Sequence, residues 1–258
     1  MTTMEDDIRR ELAIMEAAKG VSVLLAVESG SRCWGFASPD SDYDVRIVYV
    51  CPLSDYLRLG TRRDTVEWRL DETYDVAGWD LFKFLRLLRA SNPSALEWLM
   101  SPIVYEEAPE FSAVRGLLPD CHNPVASAHH YLNMARANKA ALEGESIKLK
   151  KYLYVTRALL ATRWVVRVGT QVRMEFRYLC DAMLEPGMRQ LMDEVVAEKM
   201  LGDEKAPHAR IPQLDAWIAT TAGELEEAVK VVEPKAKLPW ERFDEVFQGI
   251  VCGQVSRR

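Results

Sequence analysis

To about Pro119 the chain alternates short apolar runs with polar breaks, whereas the remainder repeats apolar residues almost continuously at helical spacing. Met4 to Ala18 reads as a helix closed by Gly20, and Val21 to Val27 as a buried strand rich in β-branched residues. Gly30 breaks that strand. A short helical stretch starts near Ser31, Ser38 to Asp42 is turn chemistry, and Tyr43 to Val50 is a second strand. Glu67 to Val76 is predicted as a third. Asp80 is placed to cap a helix with the apolar stripe Leu81, Phe84, Leu85 and Leu88; Asn92-Pro93 ends it, and Ser94 can cap the next. Beyond His122 the pattern predicts helices over 125–143, 146–168, 175–185, 187–201, 212–232 and 240–255. They are separated by Gly169, Pro186-Gly187, Pro207, Pro212 and the segment from Pro234 to Pro239. Two units follow from this change of period, residues 1–119 and 120–258.

Composition narrows the class. The 258 residues, 48% hydrophobic and 28% charged, suffice for a real core. The longest apolar stretches, Val21 to Val27 and Ala158 to Val168, are too short to span a bilayer or are interrupted by Arg163 and Arg167, and the amino terminus has no apolar signal segment. The five cysteines, Cys33, Cys51, Cys121, Cys180 and Cys252, are odd in number and widely spaced, which reads as a reduced, cytoplasmic protein. A net charge of −6 argues against a protein that coats nucleic acid, because such binding rests on Lys and Arg neutralising phosphates; a local basic patch stays open.

The chemistry concentrates in residues 30–46, GSRCWGFASPDSDYDVR. On a strand Asp42 and Asp44 project to one side while Tyr43 and Val45 go to the other. Two carboxylates so close repel one another and become favourable when divalent cations sit between them. Mg²⁺ or Mn²⁺ suits them, being an oxygen-seeking ion that also binds substrate phosphates. Gly30 and Ser31 suit the other end of such a substrate. Glycine lets the backbone approach a phosphate, the Ser31 hydroxyl donates, and Arg32 adds charge. Alone, a D-x-D is common in solvated turns and a Gly-Ser more so; their order and spacing between two strands make the pattern specific.

At this point the chain resembles the DNA polymerase beta nucleotidyltransferase superfamily, whose signature is a Gly-Ser, a short spacer and a D-x-D on the next strand. The resemblance extends to its RNA-repair-pathway DNA polymerase beta family through residues 30–50, Tyr74 to Tyr105 and Lys148 to Trp164. It implies an α+β fold, a small mixed-sheet catalytic domain followed by an α-helical domain closing over the nucleotide. It also implies metal-dependent transfer of a nucleoside monophosphate from a nucleoside triphosphate such as ATP to an acceptor hydroxyl. RNA 3′ ends, protein hydroxyls and small molecules are the candidate acceptors, with a regulatory nucleotide-binding module as the reading from another class. A third metal carboxylate is implied on a neighbouring strand. Asp75 matches it best, and Asp80 competes but has a sufficient task as a cap.

Other residues admit two readings. Glu97 and Trp98 match a family motif, yet the neighbouring apolar positions also suit a core. Lys150, Tyr154 and Arg157 share one helix face at i, i+4 and i+7 and can meet a triphosphate or an acceptor backbone; the competing reading is a solvated basic surface. His129 and His130 lack partners at ligand spacing and read as structural. No motif falls after about Gly202, and the oligomeric state is not legible.

Overall fold

The computed structural model describes residues 3–140, 142–202 and 206–253. Residues 141 and 254–255, which two of the predicted helices include, lie outside them. The chain is α+β. Its elements in order are α1 (Met4–Lys19), β1 (Ser22–Glu28), α2 (Gly30–Trp34), β2 (Tyr43–Val50), α3 (Leu53–Tyr56), β3 (Thr65–Leu70), β4 (Tyr74–Asp80), α4 (Leu81–Arg89), α5 (Pro93–Met100) and β5 (Val104–Glu107). Then come α6 (Ser112–Arg115), α7 (Leu118–Cys121), α8 (Pro124–Ala140), β6 (Ser146–Ile147), α9 (Leu149–Val168), α10 (Phe176–Met183), α11 (Pro186–Leu201), β7 (His208–Ala209), α12 (Pro212–Ala228) and α13 (Trp240–Gly253).

Strands β1 to β5 form one sheet in the order β3-β4-β2-β1-β5, in which β2 and β4 run parallel and the other neighbours antiparallel. The predicted single strand from Glu67 to Val76 is instead a hairpin. Its turn chemistry is Asp71, whose side chain accepts from the Thr73 and Tyr74 amides at 2.8 and 2.9 Å and so reverses the chain. The second arm continues to Asp80 and pairs with β2 from Tyr43↔Tyr74 to Tyr49↔Asp80.

Alternation along β2 divides the core. Val45, Ile47 and Tyr49 pack with Ile8, Leu12 and Met15, the buried stripe of α1, whose ends carry a Thr3/Asp6 capping box and a left-handed Gly20. Val48 and Val50 face the opposite way, into a core with Leu81, Phe84 and Leu88 of α4 and Leu96 and Trp98 of α5. The apolar side of α13, Phe243, Ile250 and Val251, packs in this sheet-side core, and α8 to α12 build a separate core around α9. Helix α9 is buried on nearly every side from Tyr152 to Val165, which no surface helix would tolerate. Phe36, from the loop after α2, inserts into that helical core.

Asp80 is wholly structural in its contacts, accepting from the Tyr56 hydroxyl at 2.7 Å. Its carboxylate caps α4 through the Phe82 amide at 2.9 Å, and it binds the Arg62 guanidinium with both oxygens at 2.8 Å, fully buried. Five residues along the same strand from Asp75, it points to the other face of the sheet. Asp80→Ala should therefore cost more than a cap, about 3–5 kcal/mol, because it leaves Arg62 without its partner. Urea unfolding checks this, and a loss no larger than about 1 kcal/mol would leave only the cap.

Candidate active site

The parallel register sets Asp44 of β2 directly beside Asp75 of β4. Arg46, two residues on and thus on the same face as Asp44, lies between them. Its Nη2 donates to Asp44 Oδ1 at 3.0 Å and to Asp75 Oδ2 at 2.7 Å, while Nη1 donates to the main-chain carbonyls of Asp75 at 2.7 Å and Val45 at 3.2 Å. All three side chains are partly exposed, so the cluster is reachable from solvent without being fully screened by it. Asp42 precedes β2 and is exposed at the rim. The register and Arg46 bring Asp44 and Asp75 together, and among the described residues no three Asp, Glu, His or Cys side chains converge as a metal cage.

Gly30 forms the wall behind Asp44. It has φ +58°, and a Cβ built on it would lie 1.9 Å from Asp44 Oδ2. Only glycine satisfies both the left-handed backbone and the space taken by the carboxylate. Ser31 is buried beside it. Arg32 is committed to the loop: it donates to the Ser41 and Asp42 carbonyls at 2.6 and 3.0 Å and lies over the Tyr43 ring at 3.8 Å, holding the turn that leads into the D-x-D.

The oxygen donors fit a hard divalent cation, since two carboxylates already share one positive group and Gly30 leaves space for the Asp44 carboxylate. Mg²⁺ or Mn²⁺ there would be held by Asp44 and Asp75, with Asp42 near the entry.

Three residues absent from the sequence reading stand behind the site. Glu28, the last residue of β1, is 1% exposed. Its Oε1 accepts from the Asp44 amide at 2.9 Å, and its other oxygen accepts from the Tyr105 hydroxyl. Burial pushes its carboxyl up from 4.5 to about 7, against the pull of these two hydrogen bonds. A lone acid closing an apolar strand next to Gly-Ser was the available signal. Arg46 was equally legible, one same-face step beyond Asp44. Lys199, buried on α11, donates to Ser38 Oγ and Ser41 Oγ at 3.0 Å each and so grips the loop from the helical side. No local pattern announced it.

The stripe on α9 reaches this loop, but not with an open guanidinium. Arg157 is 1% exposed, bonds Glu97 Oε1 at 2.9 Å and lies over Trp34 at 4.1 Å. Tyr131 donates to the same Glu97 oxygen at 2.9 Å. The expectation that Arg157 offers its charge to a phosphate is corrected accordingly: that charge is spent on Glu97, and the guanidinium lies against Trp34. Tyr154 meets Trp34 edge-on, ring centroids 5.3 Å apart, and half-buried Lys150 lines a small cavity with Lys199 and His208. Trp98 is core, stacked on Trp79 at 4.0 Å. His129 is exposed on α8, and His130 packs edge-on to Tyr131.

Comparison with known proteins adds three findings. The family described as the RNA repair pathway DNA polymerase beta family matches residues 4–249. Uncharacterized protein YcgL of Bacillus subtilis (strain 168) is 41% identical over 237 residues, 91% of each chain. A solved nucleotidyltransferase-like protein from Exiguobacterium sibiricum is 12% identical with a TM-score of 0.32, over 97% of this chain and 80% of its own. No described helix is long and apolar enough to cross a membrane.

Gly30→Ala and Gly35→Ala both force alanine into a left-handed conformation, at about 1–2 kcal/mol each, but only the first also meets Asp44. Unfolding free energies should show the larger loss for Gly30→Ala; equal losses would mean that the carboxylate yields freely. Glu28 supplies a pH test. Its folded pKa is raised, so the stability it contributes is fully present below about pH 4.5 and declines as pH rises through about 7. Glu28→Gln should gain stability relative to the parent across that window, and a pH-independent difference would show that Glu28 does not titrate there.

Proposed function

The chain belongs to the RNA repair pathway DNA polymerase beta family and is an enzyme of the nucleotidyltransferase type; from that premise we propose that Asp44, Asp75 and Asp42 serve the transfer of a nucleoside monophosphate from a nucleoside triphosphate to a hydroxyl of RNA, at its 3′ end. The observation that carries the reading is the pair of carboxylates on adjacent parallel strands, sharing one cation beside a glycine that leaves space for them.

A divalent cation, Mg²⁺ or Mn²⁺, would be held by Asp44 and Asp75 with Asp42 at the rim, and when bound it would neutralise charge on the reacting phosphates. The protein's own groups do the rest. The acceptor oxygen forms a bond to the α-phosphorus as the bond to the pyrophosphate oxygen breaks, and the hydroxyl proton passes to the Asp75 carboxylate. The Gly30–Ser31 backbone and the Ser31 hydroxyl receive the β- and γ-phosphates. Glu28 orients Asp44 by accepting a hydrogen bond from its backbone amide, and Arg32 holds the turn that carries Asp42. Of the α9 stripe, Lys150 is the proposed phosphate contact, while Tyr154 and Arg157 position the loop through Trp34.

A second reading, nucleotidylation of a protein or small-molecule hydroxyl at the same site, is favoured by the net charge of −6, which gives an RNA backbone little general attraction. Labelled nucleoside triphosphates with Mg²⁺ and separate RNA, protein and small-molecule acceptors decide between them. Asp44→Asn and Asp75→Asn should each abolish label transfer while circular dichroism shows the fold retained. Full transfer by either variant, with metal still required, overturns the assignment.

A further inference from the structure

We propose that Arg46 is a resident counterion of the carboxylate pair: it occupies the place of positive charge between Asp44 and Asp75, competes there with the divalent cation, and turns to the substrate's triphosphate when that cation binds. This rests on the metal-site reading above and concerns how that site is loaded.

Side-by-side carboxylates on neighbouring strands repel, and the repulsion is strongest where water screens least. Here the guanidinium offsets it, with one Nη2 shared between an oxygen of each aspartate. Asp44 Oδ1 and Asp75 Oδ2 both accept from the one Nη2, so a dication held by this pair would compete with the guanidinium for them. The two cannot both hold them. The trio of side chains carries one net negative charge; adding a dication leaves one net positive charge, which triphosphate oxygens then offset.

The other half of the guanidinium explains why Arg46 need not leave. Nη1 is bonded to the carbonyls of Val45 and Asp75, main-chain atoms of the two central strands. With that edge anchored, losing the carboxylates frees the Nη2 hydrogens beside the site, where they can donate charge-assisted hydrogen bonds to phosphate oxygens. Metal and nucleotide are thereby coupled: the nucleotide gives the displaced guanidinium another anion, and the metal frees the guanidinium for the nucleotide. A lysine in this place would supply the charge but could not hold both the backbone and the carboxylates.

The test is Mn²⁺ binding to the full chain, read by the electron paramagnetic resonance of free Mn²⁺, with and without a non-hydrolysable nucleoside triphosphate. Arg46→Gln should bind Mn²⁺ alone about tenfold more tightly than the parent, because a competing charge is gone. Arg46→Lys should stay within about threefold of the parent. The tightening of Mn²⁺ binding by the nucleotide should be smaller in Arg46→Gln than in the parent. Unchanged or weaker Mn²⁺ binding by folded Arg46→Gln overturns the proposal, since it would make Arg46 a support of the metal site instead of a rival. If Arg46→Gln does not fold by itself, Mn²⁺ should restore folding by replacing the missing charge, and failure to do so overturns the proposal as well. Asp44→Asn separates the two readings. Should it bind Mn²⁺ like the parent, the carboxylate site itself is wrong; should it lose Mn²⁺ while Arg46→Gln is unchanged, the site stands and the counterion role falls.

Discussion

The parallel pairing of β2 with β4 is the constraint on which the rest of the molecule depends. Strands that are neighbours in a parallel ladder need a crossover, and here the chain spends α3, a loop and the antiparallel strand β3 before β4 returns alongside β2. That register aligns Tyr43 with Tyr74 in the α1 core, Asp44 with Asp75 at the candidate site, and Tyr49 with Asp80 at the far end. A slip of one residue would exchange faces, burying Asp75 and exposing the aromatic and aliphatic side chains around it. Core burial and the carboxylate pair are thus specified by one ladder.

The loop between α2 and β2 carries what the ladder alone cannot hold. It leaves the sheet, places Phe36 in the core around α9, and returns with Ser38 and Ser41 on the Lys199 ammonium. Trp34 lies under Arg157, which is itself paired with Glu97 from the sheet-side helix α5. A buried ion pair is a poor source of net stability, because desolvation consumes most of its Coulombic gain, but removing one partner is costly. The pair and Tyr131 link α9 and α8 to α5 through the one Glu97 carboxylate. The helical layer shapes the candidate site by gripping a loop through Lys199 and the core around Phe36.

Charge around the site is graded by burial. Glu28, deepest, is held near neutrality's edge, while Tyr105 and the Asp44 amide direct hydrogen bonds at it. Asp44 and Asp75, at intermediate depth, share Arg46, and Asp42 stands in solvent. The arrangement leaves the outer carboxylates ready for a positive group and keeps the innermost one as a support for the strand beneath them.

Sequence by itself determined the elements whose signal is local. The period of apolar residues located β1, β2 and most helices to within a few residues; Asp80 announced a helix cap, and the order Gly-Ser, spacer, D-x-D marked the candidate site and the family. It missed the β3–β4 hairpin because Asp71-Glu72-Thr73 reverses the chain inside what reads as one alternating run. What only tertiary structure decided depends on residues distant in the chain. The alignment of Asp75 with Asp44, the sharing of Arg46 between them, the burial of Arg157 against Glu97, and the return of α13 to the sheet-side core are all set by long-range packing. A stripe of Lys, Tyr and Arg at helical spacing reads as basic surface because periodicity reports which residues share a face. It carries no information about which neighbour that face meets, and a single glutamate sixty positions away turned Arg157 from a free cation into a buried partner.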